Sequence, residues 1–439
     1  MSKDIMKVVI IGSGLVGAAT AIALRKAGHE CTLYDQVNLA EAAAKATGGI
    51  VAVDFGDSGG SVMLRSNALR VIRDLGLLHE VMANSSPNIL THFQKIDGSA
   101  PIVHKTMEEV ARIEPEKDLQ APRQIMRSKL HSIFVTAAHK AGVKTIVGKK
   151  AIRVEETTDR GVNIRFVDGS GVYGDLVVGA DGIHSVTRRQ IFGEETKPKF
   201  TGVIGYIGVV DLQVNNIALD QTCSFFVDRM KKHLVSTFKV SEKLAAIQVM
   251  VFGDPDPEEE EGYRPYSDLP KHSARLGDLI ESWGVPKNIA EMMRKSFRIS
   301  PASIYDLPDL TAYHKGHVVL LGDSAHGMVP NAGLGLGAGI EDVGVFFELL
   351  QKYPDEKDLD TVLRLYSAIR VPSATFQSNN SRTLAEQFYS TTFGSSGGQF
   401  LLRLFINAIN YNLYQPIKEV YDCKKVVERA IAKEKNEAQ

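Results

Sequence analysis

Short apolar runs alternate with longer helical segments in the first part of the chain. Lys7 to Ile11 is a continuous apolar run, typical of a strand buried on both faces, and Leu15 to Ala27 is rich in Ala, Leu and Ile. Gly28 ends that predicted helix, and Cys31 to Tyr34 follows as a second strand. This order of strand, helix and strand predicts a right-handed βαβ unit.

The same alternation returns later in the chain, on both sides of a segment with a different pattern. Predicted helices and strands of the first type cover residues 67–75, 127–141, 162–167, 176–179, 318–321 and 335–352. Between them, strand-like runs separated by turns cover residues 203–212, 234–240 and 244–252. We therefore predict an α/β fold in which a Rossmann-like domain is interleaved with a mainly antiparallel β substrate domain and followed by C-terminal helices. The predicted boundaries are 1–200 with 299–375, 201–298, and 376–439.

Composition and charge narrow the class of protein. The chain has 439 residues, 44% of them hydrophobic and 23% charged, which is typical of a folded globular protein of two or three domains. Its 51 Lys and Arg residues balance 52 Asp and Glu residues, so no basic excess indicates nucleic acid as a partner. Three widely spaced cysteines favour free thiols in a reducing compartment, and we expect a cytoplasmic protein. The sequence contains no apolar run of about 20 residues, which is the length that a membrane-spanning helix needs.

A glycine pattern lies between the first predicted strand and helix. Gly12, Gly14 and Gly17 fit G-x-G-x-x-G, in which the glycines allow a tight turn, a close approach to a pyrophosphate and the packing of helix on strand. The helix N-terminus then faces the anion. Asp35, at the end of the second strand, is placed to accept hydrogen bonds from a ribose. The pattern predicts a dinucleotide site that suits FAD or NAD better than NADP.

Two further motifs follow predicted strands. Asp323 comes directly after an apolar strand, at the edge where α/β proteins bind ligands. The segment from Pro330 to Gly339 is rich in glycine and leads into a helix, whose N-terminal amides favour negative charge on a bound ring. The Asp181-Gly182 pair follows the strand at 176–179 and is by itself an ordinary turn signal. We predict no metal site, because no second ligand stands at a suitable spacing from His326.

In this order and at these separations, the three motifs resemble the flavoprotein monooxygenases of the aromatic-hydroxylase, para-hydroxybenzoate hydroxylase-like class. The resemblance runs from Lys7 to about Arg382. Ser66 to Val71 resembles an early helix of the family, and three further segments resemble its salicylate-hydroxylase-like branch: Tyr305 to Pro308, Gly339 to Asp342 and Tyr366 to Pro372.

The resemblance implies FAD as cofactor and assigns roles to particular residues. Asp35 would bind the adenosine ribose, and Arg127 and Asp323 the phosphate and ribityl region of the flavin. Gly335 and Leu336 would hold the pyrimidine edge, with Pro330 beside the ring where oxygen reacts. The other FAD-binding positions that it implies are Gly12, Gly14, Leu15, Gly17, Gly48, Asp181 and Gly333.

The activity implied is that of a monooxygenase. NAD(P)H would reduce FAD, O2 would form a flavin C4a-hydroperoxide, and one oxygen would be delivered to an aromatic or related electron-rich small molecule by hydroxylation or epoxidation. An FAD-dependent reductase or dehydrogenase that inserts no oxygen is the main alternative. A non-catalytic flavin-binding protein and a plain NAD dehydrogenase fit less well. The sequence leaves the oligomeric state and the choice between NADH and NADPH open.

The substrate domain departs from the resemblance. Some relatives that hydroxylate phenolates have an arginine and a tyrosine where this chain has Ile207 and Thr237. We therefore expect a less acidic or neutral substrate. Tyr206, Arg229 and His233 are the polar candidates for the pocket, and no catalytic base is assigned.

Overall fold

The computed structural model describes residues 5–37, 59–158, 160–254, 268–389, 396–414, 416 and 418–437. The strands in chain order are β1 Lys7–Ile11, β2 Glu30–Tyr34, β3 Ser61–Leu64, β4 Ser86–Pro87, β5 Thr91–Lys95, β6 Ile102–His104, β7 Arg123–Met126, β8 Lys144–Ile146, β9 Ala151–Glu156, β10 Val162–Phe166, β11 Gly171–Gly174, β12 Leu176–Gly179, β13 Lys199–Asp211, β14 Cys223–Asp228, β15 His233–Lys239, β16 Leu244–Phe252, β17 Arg298–Asp306, β18 His314–Lys315 and β19 Val318–Leu320.

Helices connect and cover these strands. In chain order they are α1 Leu15–Lys26, α2 Ser66–Asp74, α3 Leu78–Ala83, α4 Thr106–Ala111, α5 Arg127–Lys140, α6 Val186–Phe192, α7 Leu269–Ser282, α8 Lys287–Arg294, α9 Asp323–His326, α10 Gly335–Lys352, α11 Leu359–Tyr389, α12 Ser396–Asn410 and α13 Cys423–Glu437. Short 3-10 turns lie at Lys117–Leu119, Glu194–Thr196, Pro330–Ala332 and Glu356–Asp358.

The first sheet has six strands in the order β18-β19-β12-β1-β2-β8, and all neighbours are parallel except β18 and β19. β12 is buried along its length and β1 at four of its five residues, as expected for central strands with both faces covered. Their side chains share one hydrophobic core with α1, α5, α10 and α11. The predicted βαβ unit is confirmed as β1, α1 and β2.

The second large sheet has seven strands in the order β17-β13-β16-β15-β14-β5-β6. Its neighbours are antiparallel except β14 and β5. The predicted segment 201–298 accounts for only part of it, because β17 pairs along β13 from beyond residue 298, and β5 and β6 come from far upstream. Local pattern could not reveal these three strands as members of this sheet, since their partners are distant in sequence. The predicted division of the chain into domains stays a prediction.

The C-terminal region is helical, as the sequence predicted. α11 crosses the predicted boundary at residue 375, so the last domain does not begin at a break between elements. Two smaller three-stranded sheets, β11-β10-β9 and β3-β7-β4, complete the fold. Among the described helices, none is long and apolar enough to cross a membrane.

Candidate functional site

The loop between β1 and α1 contains two glycines, Gly12 and Gly17, that tolerate no side chain. Gly12 has φ +98° and donates its N–H to Tyr34 O at 2.8 Å. A Cβ atom on Gly12 would lie 2.3 Å from Ala180 O, and one on Gly17 would lie 2.0 Å from Gly12 O. A Cβ on Gly14, by contrast, would have no heavy atom within 4 Å. The loop is therefore tight on its inner side and open above Gly14 and the amide of Leu15.

Asp35 ties this loop to the end of β2. Its Oδ2 accepts hydrogen bonds from the backbone N–H of Ser13 at 2.7 Å and from the Ser13 hydroxyl at 2.8 Å, and its Oδ1 accepts from Val37 N at 3.0 Å. His131 Nε2 lies 2.7 Å from Ser13 O, and because a carbonyl only accepts, Nε2 carries the proton. Asp35 is thus a buried carboxylate, oriented before any ligand arrives.

Asp181 organises the neighbouring loop, which follows β12. One carboxylate oxygen accepts from the Ser185 hydroxyl at 2.5 Å, and the other accepts from the backbone and side chain of Thr187, both at 3.0 Å. These bonds hold the turn at Gly182 and the start of α6. Asp181 Cα would be 3.0 Å from a Cβ on Gly12, so the two loops are packed against each other.

Asp323, Arg127 and the N-terminus of α10 surround one concave space. The Asp323 side chain is exposed to solvent, yet the protein around it raises the pKa of its carboxyl, while the nearby charges of His326 and Arg127 oppose that rise. A carboxylate that is both accessible and desolvated lines a depression rather than a convex surface. A Cβ on Gly335 would lie 3.9 Å from Asp323 Oδ1, and one on Gly59 would touch the Arg127 side chain at 3.3 Å.

A buried ionic network supports this space from behind. Asp342 Oδ2 accepts from Gly322 N and contacts His326 Nε2, both at 2.7 Å. Its Oδ1 accepts from Arg370 Nε at 2.6 Å, and Arg370 also binds Glu341 at 2.9 Å. Burial opposes ionisation of Asp342, but His326 and Arg370 outweigh it and lower its pKa. The network fixes the start of α9, and with it Asp323, relative to α10 and α11. No role for this ionic network was predicted from the sequence.

These features together fit a dinucleotide whose second half is a flat ring. The open position above Gly14 accommodates a pyrophosphate, Asp35 suits a ribose, and Asp323 meets hydroxyl donors. The model for the family described as FAD binding domain matches residues 5–380. The chain belongs to this FAD-binding family. FAD is therefore the cofactor, as predicted, and the resemblance to flavoprotein monooxygenases is confirmed.

Relatives and solved structures agree with this membership. The chain is 26% identical over 399 residues to the 3-amino-4-hydroxybenzoate 2-monooxygenase PtmB3 of Streptomyces platensis, covering 89% of this chain and 90% of the relative. It is 27% identical over 400 residues to salicylate hydroxylase of Pseudomonas putida, covering 85% and 83%. The crystal structure of Klebsiella pneumoniae HpxO complexed with FAD and uric acid has the same fold, with a TM-score of 0.71, 20% identity and coverage of 92% and 93%.

The structure brings most of the residues predicted for FAD to the carboxyl edge of the six-stranded sheet. Gly12 to Gly17, Asp35, Asp181 and Asp323 all follow strands of that sheet, and Arg127 begins α5. Pro330 and Gly333 are exposed, and Gly335 and Leu336 are half-buried at the start of α10. Gly48 lies outside the described residues.

The pocket candidates Tyr206 and His233 lie on the face of the seven-stranded sheet opposite to the face that carries Ile207 and Gln248. Tyr206 belongs to the core formed with α7 and α8, and Arg275 lies over its ring at 5.4 Å. His233 stacks on Trp283 at 4.0 Å between ring centroids. Thr237, four residues after His233 on β15, faces the same way because side chains alternate along a strand. Ile207 pairs with Gln248 and Thr237 pairs with Ile247, so these two positions face opposite sides of the sheet.

Arg229 directly follows the end of β14, which pairs with β5. It lines a cavity of about 260 Å³ together with Phe93, Val227 and Leu402. Burial lowers the pKa of its guanidinium. The structure therefore does not bring Tyr206, Arg229 and His233 together.

The opposite face of the sheet carries a row of side chains that sequence pattern did not predict. Paired positions across five strands place Ile207, Gln248, Ser236, Phe225 and Phe93 in one row. Four of these five side chains are partly accessible, Ser236 being the exception. The adjacent row is buried because Val329, directly before Pro330, packs on Leu234 and Met250. This partly accessible row, called the uncovered row below, lies beside the positions that pack on Val329.

Proposed function

We propose that this FAD-binding protein is an NAD(P)H-dependent monooxygenase that inserts one oxygen atom of O2 into an aromatic or related electron-rich small molecule. The observation that carries the proposal is the uncovered row of side chains opposite the Pro330 loop. This row would give a ring-shaped substrate a place against Phe225 and Gln248, on the sheet face that Val329, directly before Pro330, packs on. Named relatives of the chain are monooxygenases of aromatic acids, which supports the same reaction class.

Each FAD-binding residue has a proposed part. Gly12, Gly14 and Gly17 let the backbone approach the pyrophosphate, with the amide of Leu15 at the open helix end. Asp35 accepts from the adenosine ribose, and Asp323 accepts from the hydroxyl chain of the flavin. Arg127 neutralises phosphate charge. Asp181 acts through its loop, since its carboxylate oxygens already accept from Ser185 and Thr187.

The residues around the ring set its environment. Bound FAD supplies the two-electron chemistry that activates O2. The backbone amides of Gly335 and Leu336, at the N-terminus of α10, stabilise negative charge on the pyrimidine edge. Pro330 and Gly333 shape the side of the ring that meets O2. The apolar side chains of Val329, Met250 and Leu234 exclude water from the adjoining space.

Gln248 and Ser236 are the polar side chains of the row, and we propose that they orient the substrate. Both are uncharged, so they fix direction through hydrogen bonds rather than through charge. We further propose the division into a split FAD domain and a β substrate domain predicted above. The three cysteines are free, which supports a reducing compartment such as the cytoplasm.

The test is NAD(P)H oxidation by the FAD-loaded protein with a panel of phenols, aryl acids, indoles and quinolones. Oxygenated product and hydrogen peroxide are measured in the same reactions. Stimulated oxidation coupled to product is the expected result. Stimulation with reduced substrate as product would establish the reductase alternative instead, and no stimulation by any compound would contradict the proposal.

A further inference from the structure

The helix α12 has two apolar sides, and only one of them packs on the rest of the protein. Its inner side carries Ile406 and Ile409, which are buried. Arg112, directly after α4, donates hydrogen bonds to Ile409 O at 2.5 Å and to Asn410 O at 2.8 Å, and so holds the end of the helix. The outer side carries large side chains with exposed fractions of 48–61%, namely Phe400, Leu401, Leu404 and Phe405.

The outer side of α12 is a continuous apolar stripe. Phe400 and Leu404 are four residues apart, as are Leu401 and Phe405, so each pair lies along the same side of the helix. Polar side chains are confined to a narrow strip, which is formed by Gln399, Arg403, Asn407 and Asn410. A helix that only covers a protein core has polar residues on its outer side. α12 has apolar residues there instead.

The apolar stripe continues beyond the end of α12. Tyr411, Leu413 and Tyr414 have exposed fractions of 75%, 81% and 50%. The ring centroids of Tyr414 and Phe405 are 5.6 Å apart, so the two segments form one surface. We call it the α12 surface, and its members are Phe400, Leu401, Leu404, Phe405, Tyr411, Leu413 and Tyr414. The other exposed large apolar side chains among the described residues are scattered singly along the chain, whereas a cluster of this kind marks an interaction site.

The charges in the segment that carries the α12 surface indicate what it binds. Residues 387–418 contain no Asp or Glu, although the chain has 52 of them, and their two charged residues are Arg403 and Lys418. A second copy of the chain would bring the same surface against itself, with two Arg403 side chains and no carboxylate of this segment to pair them. Charge therefore disfavours self-association through this surface and favours an apolar partner that is negatively charged.

A lipid bilayer with anionic headgroups has both properties. Its acyl chains bury Phe and Leu side chains, its headgroups attract Arg and Lys, and an amphipathic helix lies in the plane of this boundary. Tyr411 and Tyr414 suit the same boundary, because each has an apolar ring and a polar hydroxyl. We propose that the α12 surface binds an anionic lipid bilayer, with α12 lying along the membrane surface. This inference goes beyond the proposed function and does not depend on it.

The experiment measures binding of the FAD-loaded, full-length protein to lipid vesicles by flotation, so it needs no turnover. The vesicles consist of phosphatidylcholine alone or of phosphatidylcholine with phosphatidylglycerol. The test variant combines Leu401→Glu with Leu404→Glu. The matched control combines Val167→Glu with Val214→Glu, because these two side chains are also exposed, at 63% and 82%, and lie far from α12 in the sequence. Retained FAD and an unchanged melting temperature show that each variant is folded, and sedimentation velocity gives its oligomeric state.

The unchanged protein should float with the vesicles that contain phosphatidylglycerol, bind phosphatidylcholine alone more weakly, and lose binding as salt is raised. The α12 variant should bind roughly tenfold or more weakly, because two leucines lose their burial in the bilayer, and the control should bind as the unchanged protein does. Failure of the unchanged protein to float, an equal loss in the control, or equal binding to both kinds of vesicle would overturn the inference. A dimer of the unchanged protein that the α12 variant abolishes would also overturn it, by assigning the surface to a second copy.

Discussion

Gly14 and Gly17 lie three residues apart in the same loop but meet different surroundings. A Cβ on Gly17 would overlap Gly12 O at 2.0 Å, whereas one on Gly14 would enter open space. Gly14 also has φ −62°, a backbone conformation that any residue adopts. Gly17 is therefore required by the fold, and the absence of a side chain at Gly14 is required by the ligand.

This difference predicts separate effects of alanine at the two positions. Gly17→Ala should lower the free energy of unfolding by about 1–3 kcal/mol, the range for overpacking a tight site. Gly14→Ala should leave the free energy of unfolding unchanged and weaken FAD binding at least tenfold, because the methyl group occupies the space of the pyrophosphate. Urea denaturation of the FAD-free proteins and FAD titration measure the two effects. Full FAD affinity in Gly14→Ala would contradict this assignment.

Ionisation of Asp323 should make the stability of the FAD-free protein depend on pH. Burial raises the pKa of Asp323 in the folded protein above the value in the unfolded chain, so the ionised carboxylate destabilises the FAD-free fold. Protonated Asp323 is tolerated in the fold better than ionised Asp323. The resulting stabilisation is complete at pH values below the pKa of this aspartate in the unfolded chain. It is lost as the pH rises through the higher pKa of Asp323 in the folded protein. Asp323→Asn should therefore raise the melting temperature of the FAD-free protein more at pH 8 than at pH 4. It should also weaken FAD binding, since the amide accepts hydrogen bonds less strongly. An equal change at both pH values would show that burial does not govern this carboxyl.

At the scale of elements, the two faces of the seven-stranded sheet contact different parts of the protein. One face packs on α7 and α8 and carries Tyr206 and His233, and the other packs on Val329 and carries Gln248. Alternation along β13, β15 and β16 separates these sets completely. A polar residue near the site in sequence can therefore be remote from it in space.

Substitutions on the two faces test this separation. Tyr206→Phe and His233→Gln should keep kcat and KM for the best substrate within about twofold. Gln248→Met, which preserves shape and removes the hydrogen bonds, should raise KM about tenfold, in the range of about 1–3 kcal/mol for a lost buried partner. Steady-state kinetics measure all three. A tenfold loss of kcat in Tyr206→Phe, with no loss of stability, would reverse the assignment of faces.

The network of Asp342, Arg370 and Glu341 joins α10 to α11 and reaches α9 through His326. Arg370 also donates to the Tyr421 hydroxyl at 2.9 Å, which adds the segment before α13. Asp342→Asn should lower the free energy of unfolding by about 3–5 kcal/mol, because it removes one of the two carboxylates that bind the buried Arg370 guanidinium and the carboxylate that His326 contacts. Tyr421→Phe should cost about 1 kcal/mol, the usual value of one hydrogen bond. Denaturant unfolding distinguishes the two, and equal small losses would show that the network is not strongly coupled.

At the scale of the whole molecule, a helix or strand could be predicted from the sequence where the local pattern of hydrophobic residues determines it. The predicted helix at 335–352 and strands at 176–179 and 244–252 have the bounds seen in the structure. β5 and β6 were not assigned to their sheet, because the parallel pairing of β5 with β14 joins segments about 130 residues apart. The network of Asp342, His326 and Arg370 was not predicted for the same reason, since only the folded chain brings α9, α10 and α11 together. The local pattern of hydrophobic residues predicts which positions are buried. It does not predict which distant segments of the chain pack together.

The central claim is that one atom of O2 enters the product, and labelled oxygen tests it most directly. The FAD-loaded protein is supplied with NAD(P)H and the compound that most stimulates its oxidation, under isotopically labelled O2 in ordinary water. Mass spectrometry of the product should show one labelled oxygen atom, with none from the solvent. A product without label, whether reduced or carrying oxygen from water, would contradict the account and establish a flavin-dependent reductase or dehydrogenase on the same fold.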